Sequence, residues 1–214
     1  MSPSLVRVAA GAFVTLSVVV SPRGAAAQHP MSGVEQARVD SARRPYVAGD
    51  IQFMSGMIGH HAQAVKMAGW AESHGASKPL QIFCGRIAMA QTAEIGLMSA
   101  WLKDRNQPVP EPDPRGMKMK MNGVDMFMAM PGMLTAEQMA HLDAAHGVEF
   151  DRLFLTFMIQ HHQGALTMVG QLFSSPGAGQ DGYVFRFASD VSADQNTEIE
   201  RMRSMLSARA GHGN

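Results

Sequence analysis

The chain has 214 residues, 46% of them hydrophobic, with 18 basic and 18 acidic side chains and a formal net charge of zero. This is enough for one domain with a real core, and the even charge gives no electrostatic footprint for nucleic acid. Cys84 is the only cysteine, which excludes an internal disulfide, and its neighbours Leu80, Phe83 and Ile87 mark it as a buried thiol.

In chain order, residues 1–27 read as a secretory signal: Arg7 is the positive start, Val8 to Val20 the apolar stretch, and Ala25-Ala26-Ala27 a small-residue cleavage pattern. The apolar stretch would make roughly 20 Å of helix, too short for a bilayer core of roughly 30 Å. No later segment is apolar for long enough to span. A periplasmic or secreted protein is therefore expected, cleaved near Ala27 and without stable membrane insertion. Losing Arg7 and Arg23 would leave it about two charges negative. Residues 28–48 are expected to be a flexible N-terminus.

The first helix should start near Gly49-Asp50, with Asp50 as N-cap, and run to about Ser73. His74 to Pro79 form a turn, and a second helix spans about 79–103. Its stripe is Leu80, Cys84, Ile87, Gln91, Glu94, Met98 and Leu102, in steps of three and four. Residues 49–104 are thus a first helical hairpin. Residues 105–134 are a linker containing Pro108, Pro110, Pro112 and Pro114, then alternating Met and Lys, with no pattern able to pack. Thr135 and Gln138 form a capping box that opens a third helix over about 135–173. Gly147 lies inside it and could bend or break it. After a Gly/Ser/Pro loop the last helix covers about 183–209, so the second hairpin is 135–209. No strand is expected beyond the leader.

The two hairpins are copies. Asp50, Phe53, Met57, Ile58, His60 and His61 recur 101 positions later as Asp151, Phe154, Met158, Ile159, His161 and His162, followed by Met67 and Met168. Gln91, Glu94, Met98 and Leu102 recur 104 positions later as Gln195, Glu198, Met202 and Leu206. A frame repeated this closely is a duplicated unit, and four amphipathic helices with one apolar stripe each predict an all-α four-helix bundle.

The repeated chemistry is that of metal ligands. Met57 lies three and four residues before His60 and His61, on one helical face, and Met158 repeats this before His161 and His162. A histidine alone on such a face serves as a core-edge residue, and a methionine stripe fills cores; the matched repetition is what points to a site. Glu94 and Glu198, with Gln91 and Gln195 one turn earlier, would either hold the histidine tautomers or act as ligands themselves. Thioether sulfur favours copper(I), and imidazole accommodates copper(I) or copper(II). Methionine is abundant, with 19 copies, and Met117, Met119, Met121, Met126, Met128, Met130 and Met133 cluster in the linker. There they would serve as an auxiliary arm for capturing metal.

These motifs resemble the family called domain of unknown function 305. The resemblance rests on Phe53-Met54-x-x-Met57-Ile58-x-His60-His61 and Gln91-x-x-Glu94-Ile95-x-x-Met98-x-x-Trp101-Leu102. It continues through Met130-Pro131-Gly132-Met133-Leu134-Thr135 and Phe154-Leu155-x-x-Met158-Ile159-x-His161-His162. It implies a ferritin-like bundle, export and a role in copper handling. Gly59 departs from the family, which often has proline before the His-His pair.

The leading expectation is a copper-binding protein that buffers or passes copper without catalysis, its partners being the metal ion and another copper-handling protein. A ferritin-like redox enzyme is the first alternative, but no acid lies three residues before any of the four histidines, as di-iron bundles require. A helical interaction or stress module without metal is the second. No Gly-x-Ser-x-Gly, His-Glu-x-x-His or phosphate-binding glycine loop is present.

Overall fold

The structure, a computed structural model, describes residues 45–121 and 123–210. The expected leader and most of the expected flexible N-terminus lie outside these residues. The described elements, in chain order, are α1 (Ala48–Gly69), α2 (Lys78–Asp104), β1 (Met117–Met121), β2 (Val124–Met128), α3 (Ala136–Ala144), α4 (Gly147–Ser174) and α5 (Gly182–Ala210). Helix α1 packs most extensively on α2, and α4 on α5; α1 then meets α4 across the bundle. The architecture is the mostly helical bundle that the repeated stripes require. Among the described residues no helix is long and apolar enough to cross a membrane.

Three expectations need correction. The helix expected over 135–173 is two helices: Ala145 and His146 are extended, and Gly147 takes a φ of +57°. Gly147 donates its N–H to the His74 carbonyl at 2.8 Å, a left-handed junction that a residue with a Cβ would disfavour. The linker was expected to lack packed structure, but it forms an antiparallel hairpin pairing Met117 with Met128 and Met121 with Val124. Its Met/Lys alternation has the two-residue period of a strand, and an Asn-Gly pair at the turn is a strong hairpin signal. Finally, the N-cap of α1 is Val47. Asp50 sits at the third helical position and accepts the Val47 N–H at 2.8 Å.

The duplicated aspartates join the two hairpins. Asp50, fully buried at the start of α1, also accepts the Gly179 N–H at 2.7 Å from the α4–α5 loop. Its counterpart Asp151, at the start of α4, accepts the Ser77 N–H at 3.1 Å from the α1–α2 loop and pairs with Arg209. Each hairpin's first helix thus clamps the other hairpin's turn, which fixes α1 and α4 as antiparallel neighbours.

The apolar core falls into two clusters. One contains Met67, Leu80, Ile87, Phe150, Phe154 and Met158. The other contains Phe53, Met57, Met98, Met168, Leu172 and Val191. Helices α1, α2, α4 and α5 each run from one to the other. At the crossover of each, buried polar residues replace apolar ones: His60 and His61 on α1, Gln91 on α2, His161 and His162 on α4, and Gln195 on α5. The bundle therefore carries a polar layer across its middle.

Candidate metal centre

All four histidines are fully buried, so neither member of either pair faces solvent. His61 and His162 turn toward the second arms of their own hairpins. His61 Nε2 lies 2.7 Å from Glu94 Oε2, and His162 Nε2 lies 2.6 Å from Glu198 Oε2. His60 and His161 meet at the α1–α4 seam with ring centroids 3.8 Å apart. His60 Nε2 lies 3.1 Å from the Pro131 carbonyl, and His161 Nε2 lies 3.0 Å from the His60 carbonyl.

These partners determine the tautomers. Carbonyl and carboxylate oxygens only accept, so each Nε2 must carry the proton and donate. In a neutral ring the other nitrogen, Nδ1, is then a bare lone pair. All four Nδ1 atoms are buried and lack a hydrogen-bond partner. A buried acceptor left unpaired costs about 1–3 kcal/mol, and this happens at both copies of both duplicated positions. The pattern of imidazole N–H on an oxygen, with the opposite nitrogen free, is how proteins orient histidine toward a metal. Burial, reinforced by the neighbouring imidazoles His61 and His162, holds His60 well below the ordinary histidine value. Burial and the rings of His60, His162 and His61 do the same for His161. Both are neutral, the form that ligates.

Buried methionines flank the histidine pairs along both helices. Met57, Met67 and Met158 are fully buried and Met168 nearly so, one helical turn or two from the pairs. Among the described residues, no three His, Cys, Asp or Glu side chains are grouped so as to hold a metal ion. A soft ion at this layer would therefore draw on thioethers as well as nitrogen.

The two flanks of the layer differ. Toward α2 and α5, a cavity of about 250 Å³ is lined by Glu94, Glu198, Gln91, Gln195 and Asp194. The Gln91 amide and the Gln195 oxygen are also buried there without partners. Toward the α1–α4 seam, the linker lies over the histidines as a strap. Gln63 ties both ends of it, donating to the Pro114 and Leu134 carbonyls at 3.0 and 3.1 Å and accepting the Leu134 N–H at 2.7 Å. Gln160 donates to the Gly132 carbonyl at 3.3 Å. Small residues allow this approach: a Cβ on Gly164 would lie 1.9 Å from the Pro131 oxygen, and one on Gly59 would lie 2.8 Å from Gly116 C.

The seven linker methionines separate. Met117, Met119, Met121, Met126 and Met128 belong to the hairpin. Met130 lies over Gly56, where an added Cβ would stand 2.9 Å from its sulfur. Met133 is buried and accepts the Met130 N–H on sulfur at 3.2 Å. Gln63 escaped the sequence reading, and Pro131, Gly132 and Gly164 were given no role in it. The signal available for them was glycine inside the helix beside each His-His pair.

The sequence profile of the family described as Domain of unknown function (DUF305) matches residues 50–206. A DUF305 protein from Streptomyces coelicolor, described as a candidate secreted protein, is 28% identical with a TM-score of 0.62; the match covers 76% of this chain and 94% of that one. A DUF305 fragment from Deinococcus radiodurans is also 28% identical, with a TM-score of 0.61 and coverage of 77% and 99%. CopM in its Cu(I)-bound form is 25% identical with a TM-score of 0.56 and coverage of 74% and 96%. Its Cu(II)-bound form is 26% identical with a TM-score of 0.54 and the same coverage. No curated protein matches the chain.

Proposed function

The chain belongs to the DUF305 family, and on that premise we propose that it is an extracytoplasmic copper-binding protein that buffers or passes copper without catalysis. His60, His61, His161 and His162 are the principal ligands, with Met57, Met67, Met158 and Met168 as soft partners. Glu94 and Glu198 hold the tautomers of His61 and His162, and the linker methionines assist capture. The observation that carries this reading is the set of four buried Nδ1 atoms without a hydrogen-bond partner. Further support comes from the likeness to CopM, which is described with Cu(I) and with Cu(II) bound. The leader-like residues 1–27 and the likeness to the Streptomyces protein support export. With thioether and imidazole donors together, copper(I) is the favoured cargo.

The test is a copper(I) titration against a chromophoric chelator under reducing conditions, for the native sequence and for a variant with alanine at all four histidines. Helicity is followed by circular dichroism. Tight binding that is lost in a still-helical variant is expected. Equal affinity in the two proteins would overturn the assignment of the histidines.

A further inference from the structure

We infer that one face of the β1–β2 hairpin is a second, all-thioether binding site for a soft monovalent cation, copper(I) or silver(I), separate from the histidine layer. The strand register carries the argument. Met117 pairs with Met128, Met119 with Met126, and Met121 with Val124. Side chains alternate between the faces of a strand, so these six residues share one face and five of them are methionine. Lys118, Lys120, Asp125 and Phe127 take the other. There Lys118 pairs with Asp125 at 2.6 Å, and the Arg115 guanidinium lies over the Phe127 ring at 3.7 Å. The hairpin thus sorts its chemistry completely, with charge and an aromatic on one side and neutral sulfur on the other.

Packing does not account for the sulfur face. Met119, Met121 and Met126 are 36%, 52% and 46% exposed, so they fill no core. Strands favour β-branched and aromatic residues, yet Val124 is the lone β-branched residue on this face. Directly opposed residues hold their Cβ atoms about 5 Å apart, and diagonal neighbours about 7–8 Å apart. Unbranched methionine side chains with three rotatable bonds can converge from such positions onto one ion. Neutral thioethers select a soft monovalent ion and give little to hard divalent ones. The ladder also leads inward. From Met121 at the tip it passes Met119 and Met126 to Met117 and Met128 at the half-buried base. Gly116, next to Met117, abuts Gly59 beside His60.

The inference rests on the capture role proposed for the linker methionines, and it stands whether or not the histidine layer takes copper. Its test is silver(I) titration of the full chain followed by isothermal calorimetry and by the ¹³C-methyl resonances of methionine. Four proteins are compared: the native sequence, the four-histidine-to-alanine variant, M119L/M126L, and M126L/F127M. The last keeps the number of thioethers but moves one to the opposite face. The expected result is a silver(I) site retained in the histidine variant and weakened at least tenfold in both hairpin variants, with the Met119 and Met126 methyl signals shifting together in the native protein. Leucine preserves volume, and unchanged circular dichroism would show that the bundle persists. Native-like silver(I) binding in M119L/M126L, or in M126L/F127M, would overturn the proposal; the second outcome would mean that sulfur content matters and the ladder does not.

Discussion

Replacing Gly164 with alanine should destabilise the protein, whereas the same change at Gly170, six residues along the same helix, should stabilise it. On helix propensity alone, both substitutions should gain about 0.5–1 kcal/mol. At Gly170 nothing lies within 4 Å of the new Cβ, so that gain is realised. At Gly164 the Cβ would stand 1.9 Å from the Pro131 oxygen, 2.4 Å from its carbon and 2.5 Å from Gly132 Cα. All three are backbone atoms and cannot swing aside. The strap must lift, and the Pro131 carbonyl then leaves His60 Nε2, 3.1 Å away in the native protein. Overpacking costs about 1–3 kcal/mol, and the lost hydrogen bond adds about 0.5–1.5 kcal/mol. Net of the propensity gain, G164A should lose about 0.5–4 kcal/mol, or roughly 1–16 °C at the 2–4 °C per kcal/mol typical of this size. G170A should rise by a few degrees. Thermal melts of the two variants at one pH provide the measurement. Equal or same-sign shifts would refute the strap's contact with the α4 backbone.

Further consequences follow from other buried groups. His161→Leu should raise the melting temperature of the metal-free protein, because it removes a bare buried Nδ1 while the His60 carbonyl remains within its helix; a fall of several degrees would show that the ring is fully satisfied. Asp151→Ala should cost about 1–3 kcal/mol in chemical denaturation, since it strips the acceptor from the Ser77 N–H and the partner from the partly exposed Arg209; a loss below about 0.5 kcal/mol would refute the clamp. Burial works to raise the Asp181 carboxyl, but the Val184 N–H and Arg105 outweigh it and hold it below the usual range. Its contribution is therefore present above the unfolded carboxylate value and lost as pH falls through the lower folded one. Asp181→Asn should flatten the acid limb of stability below about pH 4, and an unchanged limb would count against the pairing. Burial, then the nearby Asp151 charge, pushes the Cys84 thiol up to about 12. A thiol reagent at pH 8 should therefore modify it only after unfolding, and stability should decline as pH rises above the ordinary thiol value near 9.0.

The parts of the molecule legible in sequence are those governed by helical period and duplication. The stripe Leu80, Cys84, Ile87, Gln91, Met98 and Leu102 is buried along its whole length, and the capping box at Thr135 and Gln138 forms as read. Glu94 and Glu198 lie against His61 and His162, a placement compatible with either role the sequence offered for them, tautomer holder or ligand. The linker was less legible because low complexity masked its two-residue period. Met-Lys alternation looked like a spacer, although an Asn-Gly pair followed it. The α3–α4 break depended on a carbonyl 73 residues away, that of His74, and local pattern carries no trace of such a partner. The partners of His60 and His161 were equally hidden, since both are backbone carbonyls and any residue supplies one.

Duplication and insertion leave different marks on the histidine layer. Repeating the hairpin makes His61 and His162 equivalent, each resting on a glutamate of its own second helix at 2.7 and 2.6 Å. It would make His60 and His161 equivalent too, were the bundle closed by the hairpins alone. The linker occurs once, however, and it crosses only the α1–α4 seam. His60 therefore donates to the strap through the Pro131 carbonyl, while His161 donates to the carbonyl of His60 itself. The first of these partners sits on a loop and the second on a helix. Any event that lifts the strap would free the His60 ring while leaving His161 oriented. The asymmetry thus puts the histidine held by a loop carbonyl on the side where the methionine hairpin joins the bundle.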